Sequence, residues 1–366
     1  MTNHLLKVRT LLTKQKVEAI LISSVPNIIY LTNFSNFSIF EREAFLIITK
    51  NNQYIITDGR YSEAVVEKIP HFKLLEISSE NKLQDILKQI SEKDKVNCLG
   101  YEASNLTVNE YSLLKKSFPK LKNVTLDNLR SIKDEKEISL IEKACLLGDR
   151  TFNHILKKIK PGISELKLVF EIESYIKKNN ADISFKPIVA FGKNSSVPHH
   201  QPEDRKLKTE NIILLDFGVK LNNYCSDMTR TVFIGKATNE QKKIYQTVLD
   251  AQSRAIELLS DKSSIINLKS ERIKASRVDD ISRTYIVKSG YPTIPHSLGH
   301  GIGIEVHEAP RLGPNSKDIL KPGMVFSIEP GIYIPGFGGV RIEDLVVIDY
   351  SGPHLLTHSS NKLIEL

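Results

Sequence analysis

Apolar residues recur at helical spacing from Leu5 to Lys16 and then crowd into Ala19 to Ser23, which predicts an amphipathic helix followed by an apolar strand. Ala44 to Thr49 and Gln53 to Thr57 read as a hairpin turning across Lys50-Asn51-Asn52, and Asp58-Gly59-Arg60-Tyr61 turns the chain into a short helix, Ser62 to Lys68. This alternation predicts an α/β domain over residues 1–130. The charged stretch Arg130-Ser131-Ile132-Lys133-Asp134-Glu135 marks its end. Beyond it Ile138, Ile141, Ala144, Phe152, Ile155 and Ile159 keep helical spacing until Lys160-Pro161-Gly162, and a second helix follows near Glu165 to Lys177. Strands are predicted at Ile212 to Phe217 and Thr229 to Phe233; Thr238 and Gln241 then have the spacing of a capping box that opens a helix running through Leu259. The polar segment Asp261 to Ser276 reads as a loop or an extra helix. Helices followed by strands thus recur after residue 130, which predicts an α+β domain of two halves over residues 131–366.

Composition agrees with two folded domains, since 40% of the 366 residues are apolar and 26% are charged. Cys98, Cys145 and Cys225 are too few and too scattered for a disulfide framework or a thiolate zinc site, so a reducing compartment, the cytoplasm, is expected. Residues 19–40 carry no charge over a bilayer-spanning length, but Pro26, Asn27, Asn33 and Asn36 are too costly in lipid, and no membrane partner is expected. The formal charge of +8 is spread along the chain. Its densest stretch, Lys115 to Lys122, is broken by Phe118 and Pro119 and reads as a solvated turn, so no nucleic-acid partner is expected either.

Candidate chemistry lies in the second domain. Asp216 ends an apolar strand pattern, and Asp227 follows eleven positions later; Gly218 and Asn222-Asn223 offer the turn that lets both reach one point from neighbouring strands. His296-Ser297-Leu298-Gly299-His300-Gly301 combines histidines with small residues that allow backbone to approach a site closely, and His307 follows within the alternating run Glu305-Val306-His307-Glu308. Glu329 and Glu343 each follow apolar, strand-like residues. Taken singly, each of these is ordinarily a turn, cap or strand-end residue. Together, four carboxylates in a low-dielectric cavity would repel or hold protons, whereas two divalent cations would balance them and one neutral imidazole would complete the ligand set. Such an oxygen-rich set suits Mn²⁺, Co²⁺, Fe²⁺ or Zn²⁺ in a paired site.

The blocks Leu215-Asp216-Phe217-Gly218, Ser226-Asp227-Met228-Thr229-Arg230, Gly299-His300-Gly301, Ser327-Ile328-Glu329-Pro330-Gly331 and Val340-Arg341-Ile342-Glu343-Asp344 resemble, in order, those of the pita-bread metallopeptidases. That group contains aminopeptidase P, prolidase and methionine aminopeptidase. The resemblance implies a catalytic domain of pseudo-twofold α+β halves in which Asp216, Asp227, His300, Glu329 and Glu343 hold two divalent ions, with manganese expected first. It implies that Glu329 also shuttles a proton, that His199 (with His200 one position away) and His307 assist catalysis, and that His296 and Arg341 face the substrate. Asn27 to Thr32 and Thr57 to Tyr61 resemble the creatinase-like domain that precedes the catalytic half in prolidases and aminopeptidases P, which implies a homodimer. The expected activity is Xaa-Pro aminopeptidase, acting on peptides with proline in second position. The alternative is a prolidase restricted to Xaa-Pro dipeptides, and a third reading is a non-hydrolytic binding protein of the same fold. The segment Asp261 to Arg277 departs from the short turn expected before Val278.

Overall fold

A computed structural model describes residues 3–208, 212–260 and 273–366, and the chain divides into two units, Met1–Leu129 and Arg130–Leu366. The expected polar loop or helix at Asp261 to Ser276 falls largely outside the described residues; Ala275 already opens the helix Ala275–Lys288. Among the described residues no helix is long and apolar enough to cross a membrane.

The first unit is an α/β layer structure. Its strands β1 (Ala19–Ile22), β2 (Ala44–Thr49), β3 (Gln53–Asp58), β4 (Lys73–Ile77), β5 (Cys98–Tyr101) and β6 (Lys120–Asn123) form one sheet in the order β4-β3-β2-β1-β5-β6. β2 and β3 are the antiparallel hairpin expected from the sequence, with Ala44 opposite Thr57, and β1 runs parallel to β5. Both faces of β1 and β2 are buried, which is why these strands read as continuous apolar runs. The basic stretch Lys115 to Lys122 is not a turn. A capping box between Thr107 and Glu110 starts a helix that runs from Val108 to Ser117, and Lys120 to Asn123 then pairs with β5 as the sheet edge. Lysines on an exposed edge discourage further strand pairing, which accounts for the charge without a ligand.

The second unit repeats a simple plan of two helices against an antiparallel sheet. The helix Glu135–Leu156, opened by a reciprocal Asp134–Glu137 capping box, and the helix Glu165–Lys178 cover β8 (Ile188–Phe191), β9 (Ile212–Phe217) and β12 (Met228–Phe233), in the order β12-β9-β8, while the short strands β7 (Asp182–Ile183), β10 (Val219–Leu221) and β11 (Tyr224–Cys225) form a separate sheet in the order β11-β10-β7. Phe152, Ile172, Phe191, Ile213 and Leu215 fill the space between them. The helix Asn239–Ser260, opened by the expected Thr238–Gln241 capping box, and the helix Ala275–Lys288 pack on a second sheet. That sheet comprises β13 (Gly299–Gly301), β14 (Glu308–Leu312), β15 (Val325–Ile328), β18 (Asp344–Asp349) and β19 (Gly352–Leu355), in the order β14-β13-β15-β18-β19. Between its members lies the hairpin of β16 (Gly331–Ile334) and β17 (Gly338–Arg341). The α/β and α+β classes expected for the two parts are therefore both present.

Candidate metal centre

The two aspartates are delivered by one strand pair. β9 and β12 are antiparallel, with Asp216 opposite Thr229 and Phe217 opposite Met228, so Asp227 lies one residue before the pairing begins. The tight turn between them is made at Asn222 and Asn223, both in the left-handed region (φ 50 and 74). Gly218 serves a different purpose from the turn expected of it. A Cβ there would lie 1.9 Å from the Ser226 carbonyl oxygen and 2.1 Å from Ser184 Oγ, so only glycine lets the chain pass.

The two glutamates mirror this arrangement. β15 and β18 pair with Ile328 opposite Asp344, which puts Glu329 just past the end of one strand and Glu343 just before the start of the other. His300 is the middle residue of β13, between Gly299 and Gly301. Both glycines are required by close backbone: a Cβ would lie 1.9 Å from the Ser327 carbonyl oxygen at Gly299 and 2.2 Å from that of Ala309 at Gly301.

These elements surround a cavity of about 630 Å³ whose lining includes Asp216, Asp227, His300, Glu329 and Glu343, together with His199, His296, His307 and Arg341. All nine residues singled out in the sequence thus meet in one place. His300 Nε2 lies 3.4 Å from Glu329 Oε1 and 3.7 Å from Asp227 Oδ2, while its Nδ1 is 3.1 Å from the Gly301 carbonyl. With Nδ1–H donating to that carbonyl, Nε2 is the lone-pair nitrogen presented to the carboxylates. Asp227, His300 and Glu343 offer ligand atoms that all lie within 4.8 Å of one another.

The electrostatics are those of a charge deficit. Burial, then the charges of Asp216 and Glu329, raise the Asp227 carboxyl well above its ordinary range; burial, then Asp227 and Glu329, do the same to Glu343. Asp216 is raised by burial and held back by Arg341. Glu329 is pushed up to about 7, chiefly by burial, with Arg341 opposing and Asp216 reinforcing the shift. Asp216 Oδ1, Asp227 Oδ1 and Glu343 Oε1 are buried and make no hydrogen bond. Orphaned anionic oxygens on three different side chains are expensive unless a cation meets them. The donor set of four carboxylates and one imidazole therefore fits divalent cations.

Arg341 is occupied by the protein itself. Its Nη2 pairs with Asp216 Oδ2, Nη1 donates to Tyr333 Oη (3.0 Å) and the Pro198 carbonyl (3.3 Å), and Nε donates to Thr229 Oγ1 (3.0 Å). Burial disfavours its charge, but Tyr333 and the surrounding carboxylates hold its pKa well above the ordinary value. His296 is likewise engaged at both nitrogens, Nδ1 with the Ser297 carbonyl (2.7 Å) and Nε2 with Tyr333 Oη (2.9 Å), and burial lowers it to about 4. His307 stands edge-on to His300 with ring centroids 4.3 Å apart, and burial, then His300 and His199, lower its pKa. Of the adjacent pair, His199 lines the cavity, whereas His200 is buried with Nε2 2.8 Å from Glu165 Oε2.

Several participants escaped the sequence reading. Thr229 Oγ1 donates to Glu343 Oε2 (2.7 Å) while accepting from Arg341, and Tyr333 joins Arg341 to His296. Arg311 and Lys186 also line the cavity. Only the motif Asp227-Met228-Thr229 hinted at any of these, through the strand alternation that points Thr229 to the same face as Asp227.

Residues 139–350 match the model of metallopeptidase family M24, and residues 4–132 match the creatinase/prolidase N-terminal domain. The Xaa-Pro dipeptidase of Pyrococcus horikoshii is 34% identical, the match covering 100% of this chain and 99% of that protein. Among solved structures, an Xaa-Pro dipeptidase from Bacillus anthracis is similar with a TM-score of 0.90 and 32% identity over 99% of each chain. An X-Pro aminopeptidase from Thermotoga maritima is similar with a TM-score of 0.84 and 29% identity, over 96% of this chain and 98% of that one.

Proposed function

The chain belongs to metallopeptidase family M24, and from that premise we propose that it is a prolidase that holds two divalent cations on Asp216, Asp227, His300, Glu329 and Glu343 and hydrolyses Xaa-Pro dipeptides. The observation that carries this reading is the set of buried, unpartnered oxygens on Asp216, Asp227 and Glu343, beside a His300 Nε2 whose lone pair is left free by the Nδ1 hydrogen bond. Bound Mn²⁺, or Co²⁺, Zn²⁺ or Fe²⁺, supplies an acidified water and polarises the scissile carbonyl.

The chain's own residues do the rest. Water oxygen bonds to the carbonyl carbon, the carbon–nitrogen bond to proline breaks, and one proton must travel from the water to the proline nitrogen. Glu329 is the carrier we assign: Ser327 Oγ donates to its Oε1 (3.1 Å), leaving Oε2 to hold the proton between the two steps. His307, kept neutral by burial, has one N–H to give, and with His199 it donates to the oxygen that gains charge in the tetrahedral intermediate. His296 and Arg341, with every ring or guanidinium nitrogen already bonded, act by positioning Asp216 and shaping the wall instead of binding substrate.

The dipeptidase reading takes precedence over the aminopeptidase reading expected from the sequence. Two features support it: the greater similarity to the named dipeptidases than to the named aminopeptidase, and the cations left in the cavity wall. A dipeptide ends in a free carboxylate that must be met. Arg311 donates Nε to Ser297 Oγ (2.8 Å), which fixes its fork and leaves two Nη groups for a bidentate carboxylate, with Lys186 as the second cation. The test compares Ala-Pro with Ala-Pro-amide in the Mn²⁺-loaded protein and in Arg311→Met. Wild type should prefer the free acid, and the variant should raise KM for Ala-Pro roughly tenfold or more while leaving the amide unchanged. Equal turnover of acid and amide by wild type would favour the aminopeptidase reading.

A further inference from the structure

The side chain of Gln252 is 1% exposed, in the middle of the helix Asn239–Ser260. Its Nε2 lies 3.1 Å from the carbonyl oxygen of Ile328, 3.3 Å from that of Ile342 and 3.0 Å from Asp344 Oδ2. Those two carbonyls belong to the residues immediately before Glu329 and Glu343. The ladder between β15 and β18 ends at Ile328 and Asp344, and pairing resumes only at Gly331 and Arg341, with Ile342 N–H donating to the Pro330 carbonyl (3.4 Å), so both glutamates stand in a gap between two paired stretches. An amide has two hydrogens to share among these three acceptors, and it is the only side chain seen to bond both backbones at once among the described residues.

The far side of this contact is itself fixed. Asp344 Oδ1 accepts from Arg230 Nη2 (2.5 Å) and Thr357 Oγ1 (2.7 Å), and Arg230 Nη1 donates to the carbonyls of Thr229 (2.9 Å) and Glu343 (2.5 Å). Gln252 therefore hangs from a buried, charge-assisted anchor and reaches across the break between the two glutamate-bearing segments.

We propose that Gln252 is a positioning residue that sets the separation of Glu329 and Glu343 through the carbonyls that precede them, and so sets the affinity of the centre for its second cation. The inference rests on the reading of those glutamates as metal ligands. Removing the donors deprives three buried acceptors of the Gln252 amide, and the short unpaired gap, still pinned by the ladders on either side, can adjust where the glutamates leave the backbone. Partners that orient metal ligands in this way typically change metal affinity or activity 10- to 100-fold when lost.

The test uses the full chain, stripped with a chelator and titrated with Mn²⁺ by calorimetry below the melting temperature. Gln252→Met keeps length and volume but has no donor. Val248→Ala, one turn earlier in the buried face of the same helix, creates a packing defect in the same core but removes no hydrogen-bond donor. Wild type should bind two ions; Gln252→Met should weaken the second by roughly 10- to 100-fold, and Val248→Ala should keep both affinities despite a lower melting temperature. If Gln252→Met binds both ions as wild type does, or if the two variants lose affinity in step with their melting temperatures, the proposal is overturned. Should Gln252→Met not fold, Gln252→Asn, which keeps the donor but withdraws it by one methylene, is read by the same titration. Failure of wild type to bind Mn²⁺ at all would instead overturn the assignment of the ligands.

Discussion

Replacing Glu329 by Gln in the metal-free protein should stabilise it, by an amount that depends on pH. The Glu329 carboxyl is pushed from 4.5 to about 7, and its side chain is 15% exposed, so solvent screens it little. A carboxyl whose folded pKa is raised keeps a proton that the unfolded chain has released. Between about 4.5 and about 7 the native state therefore binds more protons, and stability falls as pH rises through that window. The difference corresponds to about 3 kcal/mol at 1.36 kcal/mol per pKa unit. It is absent below the lower value and fully present above the upper one. Gln keeps the shape and never ionises, so Glu329→Gln should match wild type near pH 4.5 and exceed it by about 3 kcal/mol near pH 8.

His296 works in the opposite sense. Lowered by burial from 6.5 to about 4, it must stay neutral in the fold, so stability is lost as pH falls through that interval. Because both proteins contain it, its contribution cancels in the comparison. The assay is thermal or urea unfolding of chelator-stripped wild type and variant from pH 4.5 to 8, following the transition of the second unit. For a unit of this size the gain at high pH is roughly 6 to 12 °C. A stability difference that does not change with pH, or a variant less stable than wild type at pH 8, would show that Glu329 is not held in a charge-deficient, buried environment.

Asp227→Asn should lose metal and hydrolysis together, with activity below ~1% of wild type, since an amide cannot supply the negative charge of a ligand carboxylate; full Mn²⁺ occupancy with normal turnover would remove Asp227 from the centre. Gly299→Ala should lower the melting temperature and weaken metal binding, because its Cβ would stand 1.9 Å from the Ser327 carbonyl and something must shift by more than an overpacked core permits, at a cost of about 1–3 kcal/mol. His199→Gln should reduce kcat roughly 100-fold without changing the melting curve. His200→Gln should do the reverse, destabilising the fold by about 1–3 kcal/mol as the buried Glu165 loses one of its hydrogen-bond partners, the others being Phe191 N, Asn194 Nδ2 and Glu203 N.

Much of the centre was legible because its residues sit at strand ends with local signatures: an apolar run closing on Asp216, glycines around His300, and Ile-Glu pairs at Glu329 and Glu343. The Thr238–Gln241 capping box was equally local and is present as read. What escaped depends on tertiary distance. Gln252 meets its three acceptors across 76, 90 and 92 positions of sequence, and nothing in its helix period marks it as other than one more polar residue. Arg341 lines the cavity as expected, but four of its five N–H donors go to Asp216, Tyr333, Pro198 and Thr229, contacts that no spacing rule reveals. The choice between His199 and His200 was open for the same reason, until the buried Glu165 claimed His200. Lys115 to Lys122 was misread as a turn because its charge outweighed the capping box eight positions upstream of Lys115, at Thr107.

The most direct test is to strip the protein with a chelator, restore Mn²⁺, and identify by mass spectrometry the products formed from Ala-Pro and from Ala-Pro-Ala-Ala before and after restoration. Alanine and proline should appear from the dipeptide only when the metal is present, with the tetrapeptide left largely intact. Cleavage of the dipeptide at an equal rate without metal, or no cleavage of it with metal, would contradict a cation-loaded centre built on Asp216, Asp227, His300, Glu329 and Glu343.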